Sequence, residues 1–437
     1  LPHPHRAAEP VIDLPAWPDD LAEWVRHRSH AGHPLRLRVP SLRADPGTVA
    51  ISVTIGTPPV PIDACAILEL TFGWGAGSDV GVTTSADAGS GTLRLVDPLR
   101  LYDPTNAEST FAGIGSTVRV TINGLPAFRG RVDDVQHDLQ VATITLTDGV
   151  AELAAVQFVE TSVPAETASA RVNRILDLAS WPADRRDIGG GGVAMQAGTV
   201  ASDAWSELVA VTANELGALW LTGDGKVAWR NRATAWAPGA PVLTFGCPES
   251  DAFIGTMTMR ADQGNLVNVL SASRATGTQA TVSDADSLAL FGRHSHVQND
   301  LQVATDGERD LWMSFYLTRQ AYPAIGVNGF STRPDAPTLA AILAMQLGAI
   351  VRIYDEHHGP VIDRTARWLG AKWAIAPAYV ELNAIVGEDA SIRQVARHRR
   401  IDTGDEWLAV PTQGTALNTT AREPGVQLTT ITKRPLP

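Results

Sequence analysis

Asp133 and Asp134 stand side by side, and paired carboxylates are the raw material of acid–base glycoside cleavage. That chemistry needs both carboxyls to converge on one bond. The surrounding GRVDDVQ alternates as a strand does, and adjacent strand residues point to opposite faces, so this pair diverges. The eleven histidines invite a metal reading, with His294-x-His296 and His357-His358 as the tightest groups. Zinc takes three or four convergent ligands, and Glu356-His357-His358 is not the His-Glu-x-x-His order. Both groups read as solvated loop histidines, and His3 and His5 fall in a proline-rich N-terminal stretch. Asp284-Ala285-Asp286 lacks the ligand count and glycine spacing of a calcium loop and reads as a helix start or turn. Gly113-Ile114-Gly115-Ser116 lacks the spacing of a nucleophile elbow. The glycine run 189–192 has no Gly-Lys-Ser/Thr and no clear strand before it, so it reads as a connector rather than a phosphate loop. The residues predict no catalytic group, no metal site and no cofactor.

The composition narrows the class. A chain of 437 residues exceeds what one core usually supports, which predicts several domains. Hydrophobic residues at 44% and charged residues at 19% fit a folded globular protein. The net charge of −12 argues against a nucleic-acid binder, which needs a basic footprint. Cys65 and Cys247 form no C-x-x-C and read as two small buried hydrophobes. No secretory signal is legible in LPHPHRAAEP. The longest apolar stretch, 339–351, is too short to span a bilayer and is broken by Gln346 and Gly348. A soluble protein is expected. The twelve tryptophans are scattered through strand and helix patterns. Trp205, Trp220, Trp229, Trp312 and Trp373 read as core or interface anchors rather than a sugar-binding row.

The elements that must position these residues are mostly strands. Residues 1–45 form an N-terminal arm with a short helix over 22–30, and Trp17 and Trp24 are its candidate anchors on a neighbour. From 46 to 160, alternating segments predict a first antiparallel barrel. Its strongest signal is VRVTINGLPAFRG, a hairpin around Asn123-Gly124, because a type I′ turn needs positive φ at both central residues. Residues 161–240 predict an α+β domain. Its helix over 171–180 is followed by one over 202–217, capped at Ser202 or Asp203 and stopped at Gly217. A hairpin around Asp224-Gly225 comes next. Residues 241–300 and 322–390 predict a second β-barrel, interrupted by a helical insertion at 301–321 that turns Leu311, Phe315 and Thr318 to one side. Residues 391–437 read as an extended tail. No clean repeat is legible between the two β-regions.

The order of TLRLVDPLRLYDPTNAES, VRVTINGLPAFRGRVDDVQ, TLTDGVAEL, RVNRILDLASWP and ELVAVTANELGALWLTGDGKVAWRNR resembles the minor tail proteins of long-tailed phages of actinobacteria, of the tail-tip or baseplate hub type. The likeness is best over 84–300 and weaker to 390. It implies a homotrimer at the tail tip, with two tube-type β-barrels per chain. It also implies neighbours: a distal tail protein ring, the tape-measure protein, and other minor tail or receptor-binding proteins. DNA would pass only in transit. Some relatives add a C-terminal peptidase or lysozyme-like domain, and none is expected within the 391–437 segment. The resulting expectation is a β-rich α+β structural protein of the virion and not an enzyme. A glycan-binding receptor module is the alternative, and a cell-wall hydrolase a further one.

Overall fold

The computed structural model describes residues 49–75, 84–106, 113–138, 140–246, 252, 254–262, 264–356, 361–376 and 379–388. Trp17, Trp24, Cys247, His357, His358 and the segments 1–45 and 391–437 lie outside these, as does the side chain of Cys65.

The protein is β-rich α+β, with one large, mainly antiparallel sheet and a few short helices. The first β-region grows from the hairpin of Thr117–Ile122 and Leu125–Asp138. Asn123 and Gly124 both take positive φ, 51° and 77°, which the asparagine tolerates and the glycine accepts freely. The Asn123 side chain also accepts from the Ala50 amide at 2.8 Å, fixing the start of Ile51–Ile55 beside the hairpin. Alternation then sorts the faces. Leu70, Leu93, Val118, Val132, Ile144 and Leu146 are buried on one side, while Thr71, Thr92, Thr143 and Thr145 stand on the other.

The two β-regions join edge to edge in a single sheet of thirteen strands. Each contributes six strands in one repeated order. In the first, the spatial order is 51–55, 117–122, 125–138, 141–148, 90–96, 67–75. In the second it is 243–245, 350–355, 362–376, 379–388, 324–332, 254–262. Numbered along the chain, both run first, fourth, fifth, sixth, third, second. The duplication extends to detail. A bulge follows Val132 in the first region and Trp368 in the second. Val132 donates to Ser116 and Trp368 to Ala349, while Gly115 and Gly348 donate back at 2.8 Å with φ of 82° and 88°. One difference stands out: Ile51–Ile55 pairs antiparallel to its neighbour, whereas Leu243–Phe245 pairs parallel.

Between the regions lies a unit with its own core, from Val150 to Trp229 and on through Leu270, Leu301, Trp312 and Leu317. The helix Ala168–Leu178 starts at Thr167, whose hydroxyl accepts from the Ala170 amide. Ala204–Glu215 starts at Asp203, which accepts from Ser206. Its end departs from the sequence reading. Leu216, not Gly217, takes the left-handed turn, with φ of 56°. Gly217 is required instead by packing, since a Cβ there would lie 2.4 Å from the Arg230 carbonyl oxygen.

The strand Val269–Arg274 also differs from expectation. It pairs with Ala280–Ser283 and Ser295–Leu301 in a separate sheet and packs on the helix Asp306–Gln320 in the middle core. That helix carries a full capping box between Thr305 and Glu308. Its buried face is Trp312, Met313 and Leu317 rather than the Leu311, Phe315 and Thr318 side, and Leu311 is 62% exposed. Several rows of a helix can look apolar, and only the tertiary partner decides which one is buried.

Candidate assembly interface

The joint between the two β-regions is closely constrained. Ile67–Gly75 pairs antiparallel with residues 370–375, Gly75 opposite Gly370 and Phe72 opposite Trp373. The Phe72 and Trp373 rings stack with centroids 5.9 Å apart. Both glycines take positive φ, 128° and 153°. A Cβ on Gly75 would lie 2.4 Å from the Gly370 Cα and the Leu369 oxygen. Such distances leave no room for any side chain, so the approach itself selects glycine.

Two edges remain. At one end of the sheet Ile254–Asp262 pairs only with Ala324–Thr332. It is the counterpart of Ile67–Gly75, which is paired on both sides. Met259 opposes the buried Val327, so it faces the core, yet it is 51% exposed because no described strand lies beyond it. Its counterpart Phe72, covered by Trp373, is 2% exposed. The second edge is the half of Leu125–Asp138 past Val132. It pairs with Val141–Asp148, and no described strand runs along its other side. At the far end of the sheet Pro58, Pro59 and Pro61 surround the short Val60–Ile62. Proline has no N–H to donate, so this edge is blunted.

A polar buttress holds the first region to the middle unit. The turn at Asp224-Gly225 seats on the hairpin strand. Arg129 donates to the Asp224 carbonyl at 3.5 Å, and a Cβ on Gly225 would meet the Arg129 stem at 2.7 Å. The two turns singled out by the sequence thus lie at the two ends of one short stretch, 123–129. Arg185 stacks on Trp181 at 3.9 Å, donates to the Gly225 carbonyl and reaches Glu152, which Arg131 also pairs at 3.0 Å. Asp148 caps the helix Gly149–Ala154 by accepting from Val150 and also accepts from Gly89 at 2.8 Å. Burial pushes its carboxyl up to about 7, against the pull of those amide donors. Glu215 is raised by burial too, and ties Val193, just after the glycine run, to Arg232. In the loop 97–106, the Thr105 amide and hydroxyl hold the Asp103 carboxyl down at about 2.

The remaining chemical candidates are placed as follows. Asp133 is the bulged residue between Val132 and Asp134, so strict alternation fails there, and Asp134 accepts from Gln136 at 3.0 Å. Asp284 caps the helix Ala285–Phe291 and accepts from Ser287. His296 stacks on Tyr316 with rings 5.6 Å apart, and the His294 amide donates to Asn268. Among the described residues no group of three or more metal-ligating side chains gathers. Every described tryptophan except Trp74 is buried, so the described tryptophans form no exposed aromatic row. No helix among the described residues is long and apolar enough to cross a membrane. Alternation predicts two similar β-units with no clean sequence repeat between them, and the shared strand order is what reveals the repeat. Its short trace is Gly115-Ser116-Thr117-Val118-Arg119-Val120 against Gly348-Ala349-Ile350-Val351-Arg352-Ile353.

No protein-family model matches the sequence, and no curated protein matches it. Solved structures do match the fold. The tail protein from Neisseria meningitidis MC58 aligns with a TM-score of 0.56 at 14% identity, over 78% of this chain and 97% of that one. The 43 kDa tail protein of prophage MuSo2 from Shewanella oneidensis aligns with a TM-score of 0.52 at 15% identity, over 78% of this chain and 98% of that one. At these identities the likeness is one of fold: the chain has the fold of phage tail proteins.

Proposed function

We propose that the chain is a structural hub of a phage tail tip. One observation supports this reading: a duplicated six-strand unit joined edge to edge, with counterpart edges along which no described strand runs. Each unit completes a tube-type barrel, 46–160 and 241–262 with 322–390, and three copies form a ring that continues or closes the tail tube. The α+β domain 161–240 and the insertion 264–321 buttress the ring from outside the sheet. The arm 1–45, anchored by Trp17 and Trp24, and the tail 391–437 reach neighbouring proteins. Those neighbours are the distal tail protein ring, the tape-measure protein, and minor tail or receptor-binding proteins. The place of action is the virion tail tip, after assembly in the host cytoplasm, and the sequence resemblance points to a phage of actinobacteria. DNA passes only in transit, and the net charge of −12 disfavours its retention.

Electron microscopy of tails carrying this chain tests the proposal. Three copies in a ring at the tail tip are expected. A single copy, or a position away from the tip, would refute it. Incubation of the purified chain with host cell wall should release no soluble sugar or peptide.

A further inference from the structure

We infer that copies of this chain join through a defined strand pairing, with Ile254–Asp262 of one copy added antiparallel to residues 134–138 of the next. The inference rests on the ring reading above and specifies its joint. Its basis is the internal duplication. Ile67–Gly75 lies on residues 370–375 within one chain. The counterpart of the former is Ile254–Asp262, and the counterpart of the latter is 134–138, since the bulges after Val132 and Trp368 set the two long strands in step. Both counterparts have an outer edge along which no described strand runs.

The internal pairing transfers residue by residue. Phe72 opposes Trp373, so Met259 opposes the next copy's residue at position 137, and Arg260 opposes that at 136. Three features fit this register. Met259 faces the core but is 51% exposed, as a residue is when its covering strand belongs to another molecule. Arg260 falls opposite Gln136, with Asp134 and Asp138 diagonal to it on the same face, within reach of a long side chain. The blunted edge at Pro58, Pro59 and Pro61 discourages pairing at the far end of the sheet. The resulting contact is heterologous, one patch meeting a different one, which is the type that closes rings.

At the glycine pair the transferred register places Asp262 opposite Asp134, where Gly75 meets Gly370 inside the chain. Two carboxylate residues cannot approach as two glycines do. The copy-to-copy joint is therefore less close at that end than the internal one and is the weaker of the two.

The test is cysteine pairing in oligomers or tails of the full chain. The doubles are Gln136→Cys with Arg260→Cys, and Val135→Cys with Ala261→Cys. Successive pairs of an antiparallel ladder alternate in spacing, so one double has the closer geometry. Oxidation should give covalently joined copies on a non-reducing gel from at least one double, and none from any of the four single variants, which also control for Cys65 and Cys247. Rings of the expected mass with no joined copies would overturn this joint and leave the ring reading intact. A chain that remains single within the tail would overturn both. A second variant, Met259→Asp, should leave the monomer's melting temperature unchanged and weaken association at least tenfold. Unchanged association would overturn the inference.

Discussion

The two β-regions share a strand order and differ in what surrounds it. In the second, the turn 346–349 is covered: Leu347 is 3% exposed and packs with Trp220, Trp236 and Ala235 of the middle unit. In the first, the counterpart turn 113–116 stands open, and Ile114 is 70% exposed. The long strand of the second region carries Gly370 and Trp373 against Ile67–Gly75, while that of the first carries Asp134 and His137 at the same positions with no described strand alongside. His137 is instead covered from within, 3.1 Å from Asp97, whose carboxylate also receives the Leu101 and Tyr102 amides. Backbone topology can therefore be duplicated while side chains diverge. Each unit has one edge paired across the internal joint and one along which no described strand runs.

The largest test of this contrast is at the internal joint. Gly75→Ala should cost about 3 kcal/mol or more, combining left-handed strain with a backbone clash. Urea denaturation measures it, and a loss below about 1 kcal/mol would show that close approach does not hold the two regions together. The next effect is electrostatic. Asp148 ionises near 7 in the fold and near 4 in the unfolded chain. The unfolded state therefore releases its proton first, and the Asp148 contribution to stability is fullest below about pH 4 and is lost as pH rises through 7. That loss is roughly 4 kcal/mol at most. Melting profiles of Asp148→Asn against wild type should converge at low pH, with the variant keeping more of its stability above pH 7. Parallel curves would argue against a buried titration at this cap. The smallest comparison uses equivalent turns. Leu347→Ala should cost about 2–4 kcal/mol, while Ile114→Ala in the isolated chain should stay within about 0.5 kcal/mol of wild type. Equal losses would erase the distinction between a covered and an open unit.

Local chemistry made much of this fold legible in advance. Asn123-Gly124 announced its hairpin, and strand alternation gave the two β-regions. Asp203 lies where its helix starts. The hidden parts depend on distance. Nothing near Gly75 announces Gly370, because pairing across the chain is set by the whole sheet and not by neighbours in sequence. The strand Val269–Arg274 looks like any other alternating segment, and only its partners assign it to the middle core. The duplication was obscured by the long insertion between Asp262 and Ala324, and by exchanges such as Trp373 for His137 that keep backbone position while changing chemistry. The edges that form the candidate interface were illegible for the same reason: an unpaired edge is a property of a finished sheet.

The distance between Gly75 and Gly370 also matters while the chain is being made. Ile67–Gly75 emerges early and acquires its neighbour Ser90–Val96 soon after, but its other neighbour is encoded about 300 residues later, and at 5–20 residues per second the ribosome takes roughly 15–60 s to deliver it. During that interval a nascent chain displays a bare apolar strand edge in a cytoplasm where other copies are being translated from the same message. Timing of synthesis, as much as strength of contact, then governs whether this edge finds residue 370 of its own chain or a stranger's strand.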